Sequence, residues 1–211
     1  LVERLVAADM TVSVDTWKAA VARAVLGAGA HIINDVSGLR DVELADACAA
    51  TGAALVLMHT RAEPKHKDFP HYDDVVADVV TFLRDGMALA ADHGVAAEQL
   101  VLDPGPDFAK TPAETVTVLR HLDAVAALDR PVLLAVSRKD FIGALTRRPP
   151  KERDAGTLAA IVAGVDAGAS ILRVHDVAAT ADFLAVRAAL RGDRPVDADL
   201  HLPVDLRRQR G

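Results

Sequence analysis

The apolar run "LLAVSRKDFIG", residues 133–143, ends abruptly in Ser137, Arg138, Lys139 and Asp140 before turning apolar again. Other short apolar runs end the same way: in Asp15 and Thr16, in Asn34 and Asp35, in His59, in Asp103, and in His175 and Asp176. Gathered in one place, these tips would form a site with two poles. Asp15, Asn34 and Asp103 offer acceptors and an amide, and Lys139, Arg173 and His175 offer donors. A carboxylate can accept two adjacent N–H groups from the amidine-like edge of a flat, nitrogen-rich heterocycle, and a neighbouring amide supplies complementary groups. The three cations suit a phosphate. Each residue also has a structural reading: Asp15 can cap the following helix, Asn34 and Asp35 can shape the turn into "VSGL", Arg138 and Lys139 can be solvated, and His175 can be a satisfied core histidine.

The elements that would carry these tips follow from periodicity. "MTVSVDT", "AHIINDV", "AALVLMH", "QLVLDPG", "PVLLAVS" and "SILRVHD" have the length and β-branching of buried parallel strands. Ala-rich segments with helical spacing alternate with them. "WKAAVARAVLGAGA" places Ala20, Val21, Ala24 and Val25 on one face before a Gly-containing stop, and "TPAETVTVLRHLDAVAAL" reads as one helix begun by Thr111 and Pro112. Strict alternation predicts a parallel α/β sheet. Polar endings on all six strands favour a closed barrel, which collects every strand tip around one mouth, over an open sheet, which converges only a few.

The composition bounds the alternatives. The chain has 211 residues, 51% hydrophobic but only 3% aromatic, so its core is built from Ala, Val and Leu, as where helices pack on parallel strands. A formal charge of −6 argues against a nucleic-acid surface. No run approaches the roughly 18 apolar residues of a membrane span. The one cysteine, Cys48, sits in a helical pattern and reads as a small core residue in a cytoplasmic protein. There is no GxGxxG, phosphate-loop or CxxC pattern. "TRAEPKHKDFPHYDD", with His66 and His71, reads as a solvated loop on the functional side, and the tail "GDRPVDADLHLPVDLRRQRG" as an irregular extension. The expected division is a barrel domain over 1–191 and a tail over 192–211.

The strings "SVDTWKAAVA", "GAHIINDVSG", "LVLMH", "LVLDPGPDFAKT", "VLLAVSRKDFIG" and "RVHDV", in this order, resemble the dihydropteroate synthase family of the folate pathway. The likeness covers about residues 10–190. It implies a TIM (β/α)₈ barrel in which this chain carries strands three to eight and lacks the first two βα units. It implies a transferase that condenses 6-hydroxymethyl-7,8-dihydropterin diphosphate with 4-aminobenzoate, giving 7,8-dihydropteroate and diphosphate with Mg²⁺ assistance. Carried onto matching positions, Asp103 would bind the pterin edge beside Asn34, Asp15 and Lys139 would complete the pocket, and Met58 and Phe108 would line it. Arg173 and His175 would hold the diphosphate. Arg138 and Asp140 would border the second substrate, and the family's metal ligand would lie in the absent N-terminal loop. A homodimer through the last helices, using Leu184 and Leu190, and a cytoplasmic location are further family expectations, with no nucleic acid or membrane as partner.

The sequence departs from that pattern at Asp140, where Ser is common, and at Pro106 and Asp107, where small or apolar residues are usual. Asp140 would add a negative charge where the aminobenzoate carboxylate is received, unless it caps the next helix and pairs with Arg138. Two other readings therefore stand beside the synthase: a non-catalytic or regulatory pterin-binding homologue, and the pterin domain of a corrinoid-linked methyltransferase. Intact "SRK" and "RVHD" argue against the latter, because methyl transfer needs no diphosphate clamp.

Overall fold

The structure, a computed structural model, describes residues 1–66 and 68–207. All six expected strands form, as β1 (Ser13–Asp15), β2 (Ile32–Asp35), β3 (Ala54–Met58), β4 (Leu100–Asp103), β5 (Val132–Leu134) and β6 (Ala169–Leu172). The helices of the first compact unit, Leu1–Val174, are α1 (Val2–Val6), α2 (Ala19–Gly27), α3 (Glu43–Thr51), α4 (Val75–Asp92), α5 (Pro112–Arg120), α6 (Asp123–Ala126), α7 (Asp140–Thr146) and α8 (Asp154–Asp166). The second unit, His175–Gly211, contains α9 (Val177–Arg191), closed by Gly192 in the left-handed conformation, and a tail described as far as Arg207. Among the described residues no helix is long and apolar enough to cross a membrane.

Every strand pairs in parallel with its successor, and the order β1-β2-β3-β4-β5-β6 never reverses. A doubly wound sheet would reverse at a switch point. Here the sheet curls: Arg173, just after β6, reaches Asp15 at the end of β1, so the first and last strands meet at their tips. Helices cover one face. Leu57 packs under Gly86 of α4 and Leu134 under Gly164 of α8, where a Cβ would come within 2.6 and 2.1 Å of the leucine methyls. The opposite parity, Val56, Val101, Leu133 and Ala135 with Ile32, forms an inner apolar cluster.

That period-two alternation also sorts the polar tips. Asp15 is in register with Asn34, Asn34 with Val56, and Met58 with Asp103, so all of these share the inner parity. Asp35 has the other parity and becomes a turn-former, accepting from Ser37 N, Ser37 Oγ and Leu39 N at 2.6–2.8 Å.

Two helices depart from expectation. α2 buries Ala19, Ala22 and Leu26, whereas Ala20, Val21 and Ala24 of the expected apolar face are exposed. The segment after Thr111 breaks at His121 into α5 and the short α6. Its start is as predicted: Pro112 occupies the first turn, Thr111 Oγ1 accepts from Glu114 N at 3.3 Å, and Glu114 Oε2 accepts from Thr111 N at 2.7 Å. This reciprocal box satisfies two amides that no helical partner reaches. Thr111→Ala should lower stability by about 1 kcal/mol, checked by urea unfolding at neutral pH.

Candidate active site

Asp15, at the end of β1, accepts from Asn34 Nδ2 on one oxygen and from Arg173 Nη2 on the other, each at 2.7 Å. Asp15 is therefore not a helix cap. The first amide of α2 instead goes to Asp41, with Ala19 N at 3.2 Å from Asp41 Oδ2. The same contacts place Arg173 on an acid rather than in a separate cationic pole. Asn34 is 3% exposed, and its Oδ1 is a buried acceptor with no hydrogen-bond partner among the described residues. These three side chains border a cavity of about 630 Å³ whose walls include Ile32, Val56, Val101 and Leu133.

Asp103 closes β4 and is also 3% exposed. Gly105 N donates to its Oδ1 at 2.7 Å. Burial raises the carboxyl above the ordinary carboxylate range, opposed by the charge of Lys139, the Gly105 amide, and the charges of Lys110 and Arg173. Lys139, at the entry to α7, feels the complementary pull: burial lowers its ammonium while Asp103 and Asp107 support it. Its Nζ donates to Pro106 O at 2.7 Å and lies 4.3 Å from the centre of the Phe108 ring. Met58, in register with Asp103, is buried, and its Cγ lies 3.3 Å from where a Cβ on Gly105 would stand.

A second cavity of about 440 Å³ is bordered by Trp17, Lys65, Phe108, Lys139 and Asp140. At its floor the loop after β4 is tied to α7. Asp107 Oδ2 accepts from Phe141 N at 3.1 Å, and Asp107 exchanges two bonds with Thr115 Oγ1 at 3.1 and 3.2 Å. Asp140 is the first residue of α7 and pairs with Arg153 Nη1 at 3.1 Å. Arg153 also donates to the carbonyls of Arg138 and Lys139.

The structure thus brings together Asp15, Asn34 and Arg173 at one cavity and Phe108, Lys139 and Asp140 at the other, with Asp103 coupled electrostatically to both groups. Arg138, expected at the second substrate, is bonded to a neighbouring helix. Its guanidinium turns to Asp154, with Nε and Nη2 at 2.8 and 3.2 Å from the two carboxylate oxygens. A half-buried bidentate pair of that kind ties the strand tip to α8. His175 opens the second compact unit and is exposed. His66 and His71 join no metal cluster: among the described residues no three or more His, Cys, Asp and Glu side chains could hold a metal ion.

Sequence reasoning passed over a buried polar chain beneath the site. His59, at the end of β3, has Nε2 2.8 Å from Asp78 Oδ1 and Nδ1 2.6 Å from Lys110 Nζ. Arg61 Nε and Nη2 hold Asp78 at 3.0 and 2.7 Å. Burial raises the Asp78 carboxyl, but bonds from Arg61 and His59 outweigh it and leave it lowered. Burial, and then the charge of Lys110, lower His59 to about 4. The imidazole is therefore neutral, donating from Nε2 and accepting at Nδ1. Of this chain the sequence shows only His59, as a polar strand tip; Lys110 in "DFAKT" carries no local sign of burial.

An unfolded histidine titrates near 6.5, so between that value and about 4 the unfolded chain binds the proton first. Stability should fall on acidification through this window by about 3 kcal/mol from His59 alone. Urea unfolding of the parent and of His59→Gln should show a flatter slope in the variant. Gly105 gives a second prediction. Its φ is +63° and a Cβ would stand 2.1 Å from His59 O, a backbone atom that cannot yield, so Gly105→Ala should cost more than about 1 kcal/mol in thermal unfolding.

The family model described as pterin binding enzyme matches residues 1–175. A dihydropteroate synthase of Synechocystis sp. is 40% identical over 185 residues, 86% of this chain and 64% of the relative, so the chain spans less than two thirds of that protein's length. An inactive dihydropteroate synthase 2 of Mycobacterium bovis is 39% identical over 193 residues, 89% of this chain and 61% of the relative. Among solved structures, a Xanthomonas albilineans dihydropteroate synthase in complex with 7,8-dihydropteroate matches with a TM-score of 0.84 and 45% identity, covering 90% of this chain and 71% of that one.

Proposed function

We propose, since the chain belongs to the pterin-binding enzyme family, that it works as the pterin-holding body of a dihydropteroate synthase. One observation carries this reading. Asn34 Oδ1 is a buried acceptor without a partner, fixed through its own amide nitrogen to Asp15. Such an atom costs about 1–3 kcal/mol when unsatisfied. A planar ligand with N–H donors along its edge removes that cost. The buried Asp103 then accepts from the pterin amino and ring N–H groups.

The reaction follows from the leaving group. Diphosphate departs from the exocyclic methylene of 6-hydroxymethyl-7,8-dihydropterin diphosphate as the C–O bond breaks, and positive charge develops on a carbon conjugated with the electron-rich ring. The Asp103 carboxylate, whose charged form Lys139 and the Gly105 N–H support against burial, stabilises that charge across a short path of low dielectric. Arg173 receives the diphosphate, in competition with the charge of Asp15. The 4-aminobenzoate nitrogen attacks the methylene, and the new C–N bond acidifies the ammonium, which loses its proton without a dedicated base. Phe108 under Lys139 forms one wall for the aromatic amine. Mg²⁺, when bound to the diphosphate, would neutralise part of the leaving group's charge; among the described residues no group of three or more His, Cys, Asp and Glu side chains could hold the ion.

Finer parts of the reading rest on the resemblance: the six strands as strands three to eight of an eight-stranded barrel, a homodimer through α9, where Leu184 is half-buried and Leu190 exposed, and a cytoplasmic setting. A second reading, a pterin-binding homologue without turnover, is favoured by the inactive relative and by Asp140, whose carboxylate stands at the second cavity.

Diphosphate release from the pterin diphosphate with Mg²⁺, measured with and without 4-aminobenzoate, separates the two. The expected result is release that requires 4-aminobenzoate and falls about 100-fold or more in Asp103→Ala and Lys139→Ala. Pterin binding without release would establish the homologue instead.

A further inference from the structure

Lys110 heads the fully buried side chains by volume, at 1% exposure, and the reaction above makes no use of it. Its Nζ has three partners: His59 Nδ1 at 2.6 Å, Gly105 O at 3.0 Å and Phe108 O at 3.1 Å. An ammonium has three N–H donors and no acceptor, so this set matches the charged form. A neutral amine would leave one acceptor facing a lone pair. The two carbonyls belong to a turn closed by Phe108 N on Gly105 O at 3.0 Å, in which Gly105, Asp107 and Ala109 all have φ between +51° and +63°. Two of these residues carry a side chain, and left-handed backbone there persists only when the surroundings enforce it.

The same glycine links the lysine to the site. Its C=O is held by Lys110 and its N–H holds Asp103 Oδ1, so the Gly105 peptide units couple the buried ammonium to the carboxylate. Phe108 is coupled likewise, its carbonyl on Lys110 and its ring under Lys139. The lysine in turn rests on His59, which Asp78 fixes from α4. We propose that Lys110 is a positioning residue whose ammonium, seated on His59, clamps the Gly105–Phe108 turn and thereby sets the Asp103 carboxylate and the Phe108 ring for the pterin. The pterin part of this role rests on the function proposed above.

The test is hydrogen–deuterium exchange across residues 104–109, read against β3 and β4 in the same molecule, together with binding of 6-hydroxymethylpterin followed by its fluorescence. In Lys110→Met, exchange in the turn should rise about tenfold or more while both strands stay protected, and the pterin should bind about tenfold more weakly. Unchanged exchange in the turn, or equal acceleration in turn and strands, would overturn the clamp.

Should that variant fail to fold, the unaltered chain supplies the answer through pH. Burial lowers Lys110 to about 7. The ionisable groups around it are His59 on β3, Asp103 on β4, Asp78 on α4, Glu114 on α5, and Lys139. Raising the pH from about 6 to about 8.5 removes the third N–H, so exchange in the turn, corrected for base catalysis, should rise relative to β4. The midpoint of the rise should move to lower pH in Asp103→Asn, which removes a charge supporting the ammonium, and to higher pH in Lys139→Met, which removes one opposing it. A flat ratio in the parent chain, or a midpoint that moves in neither variant, would overturn the clamp. A parent chain that binds no pterin counts against the proposed function and leaves the exchange result to stand by itself.

Discussion

A carboxylate that must stay charged out of water governs this site. Asp103 stands at the end of a fully buried strand, where desolvation alone would protonate it. What opposes that outcome is assembled from several parts of the chain: the Gly105 amide two residues on, Lys139 after the next strand, Lys110 beneath, and Arg173 after the last strand. Each has a partner that keeps it in place. Lys139 is tied to Pro106 O, Lys110 to His59, and Arg173 to Asp15. Buried charges are tolerable when paired and hydrogen-bonded, and isolated ones are not. The polar network beneath the strand tips is the form that requirement takes here.

The parallel sheet makes the arrangement possible. Interior positions on both faces are committed to Leu, Val, Ile and Ala, so polar chemistry is confined to the tips, and strand parity decides which tip residues face inward. Asn34 and Asp35 are adjacent and chemically similar, yet one borders a cavity and the other is consumed by a turn. The second cavity is shaped differently, by loops. Asp107 ties the loop after β4 to the amide of Phe141, the second residue of α7, and Arg153 gathers the carbonyls of residues 138 and 139 together with Asp140.

Much of this was legible in the sequence. Six β-branched runs with polar endings, spaced by Ala-rich helical segments, are local signals, and all six strands formed. Asp15, Asn34 and Asp103 stood out because acids and amides are rare at the end of buried runs. The failures share a different cause. Arg138 looks like Lys139 in sequence, but its partner Asp154 lies sixteen residues away and only the packing of α8 brings it near. Lys110 looks like an ordinary surface charge, since nothing local reveals that it is covered. His59 was visible as a strand tip, yet its neutrality depends on burial and on a lysine fifty-one residues later. Periodicity reports which face a residue takes. It does not report which cation finds which acid.

The ion pair between Arg173 and Asp15 has a consequence for the kinetics of occupancy. Both side chains are about half exposed, at 55% and 49%, so each carries its own hydration and is open to dissolved ions. An anion arriving at Arg173 meets a guanidinium whose charge is already partly offset by Asp15. Mobile ions screen exposed pairs of this sort within about a Debye length. The same ions also screen the attraction between Arg173 and the incoming anion. The two effects oppose each other, so the association rate is buffered against ionic strength, unlike that of an open cationic pocket.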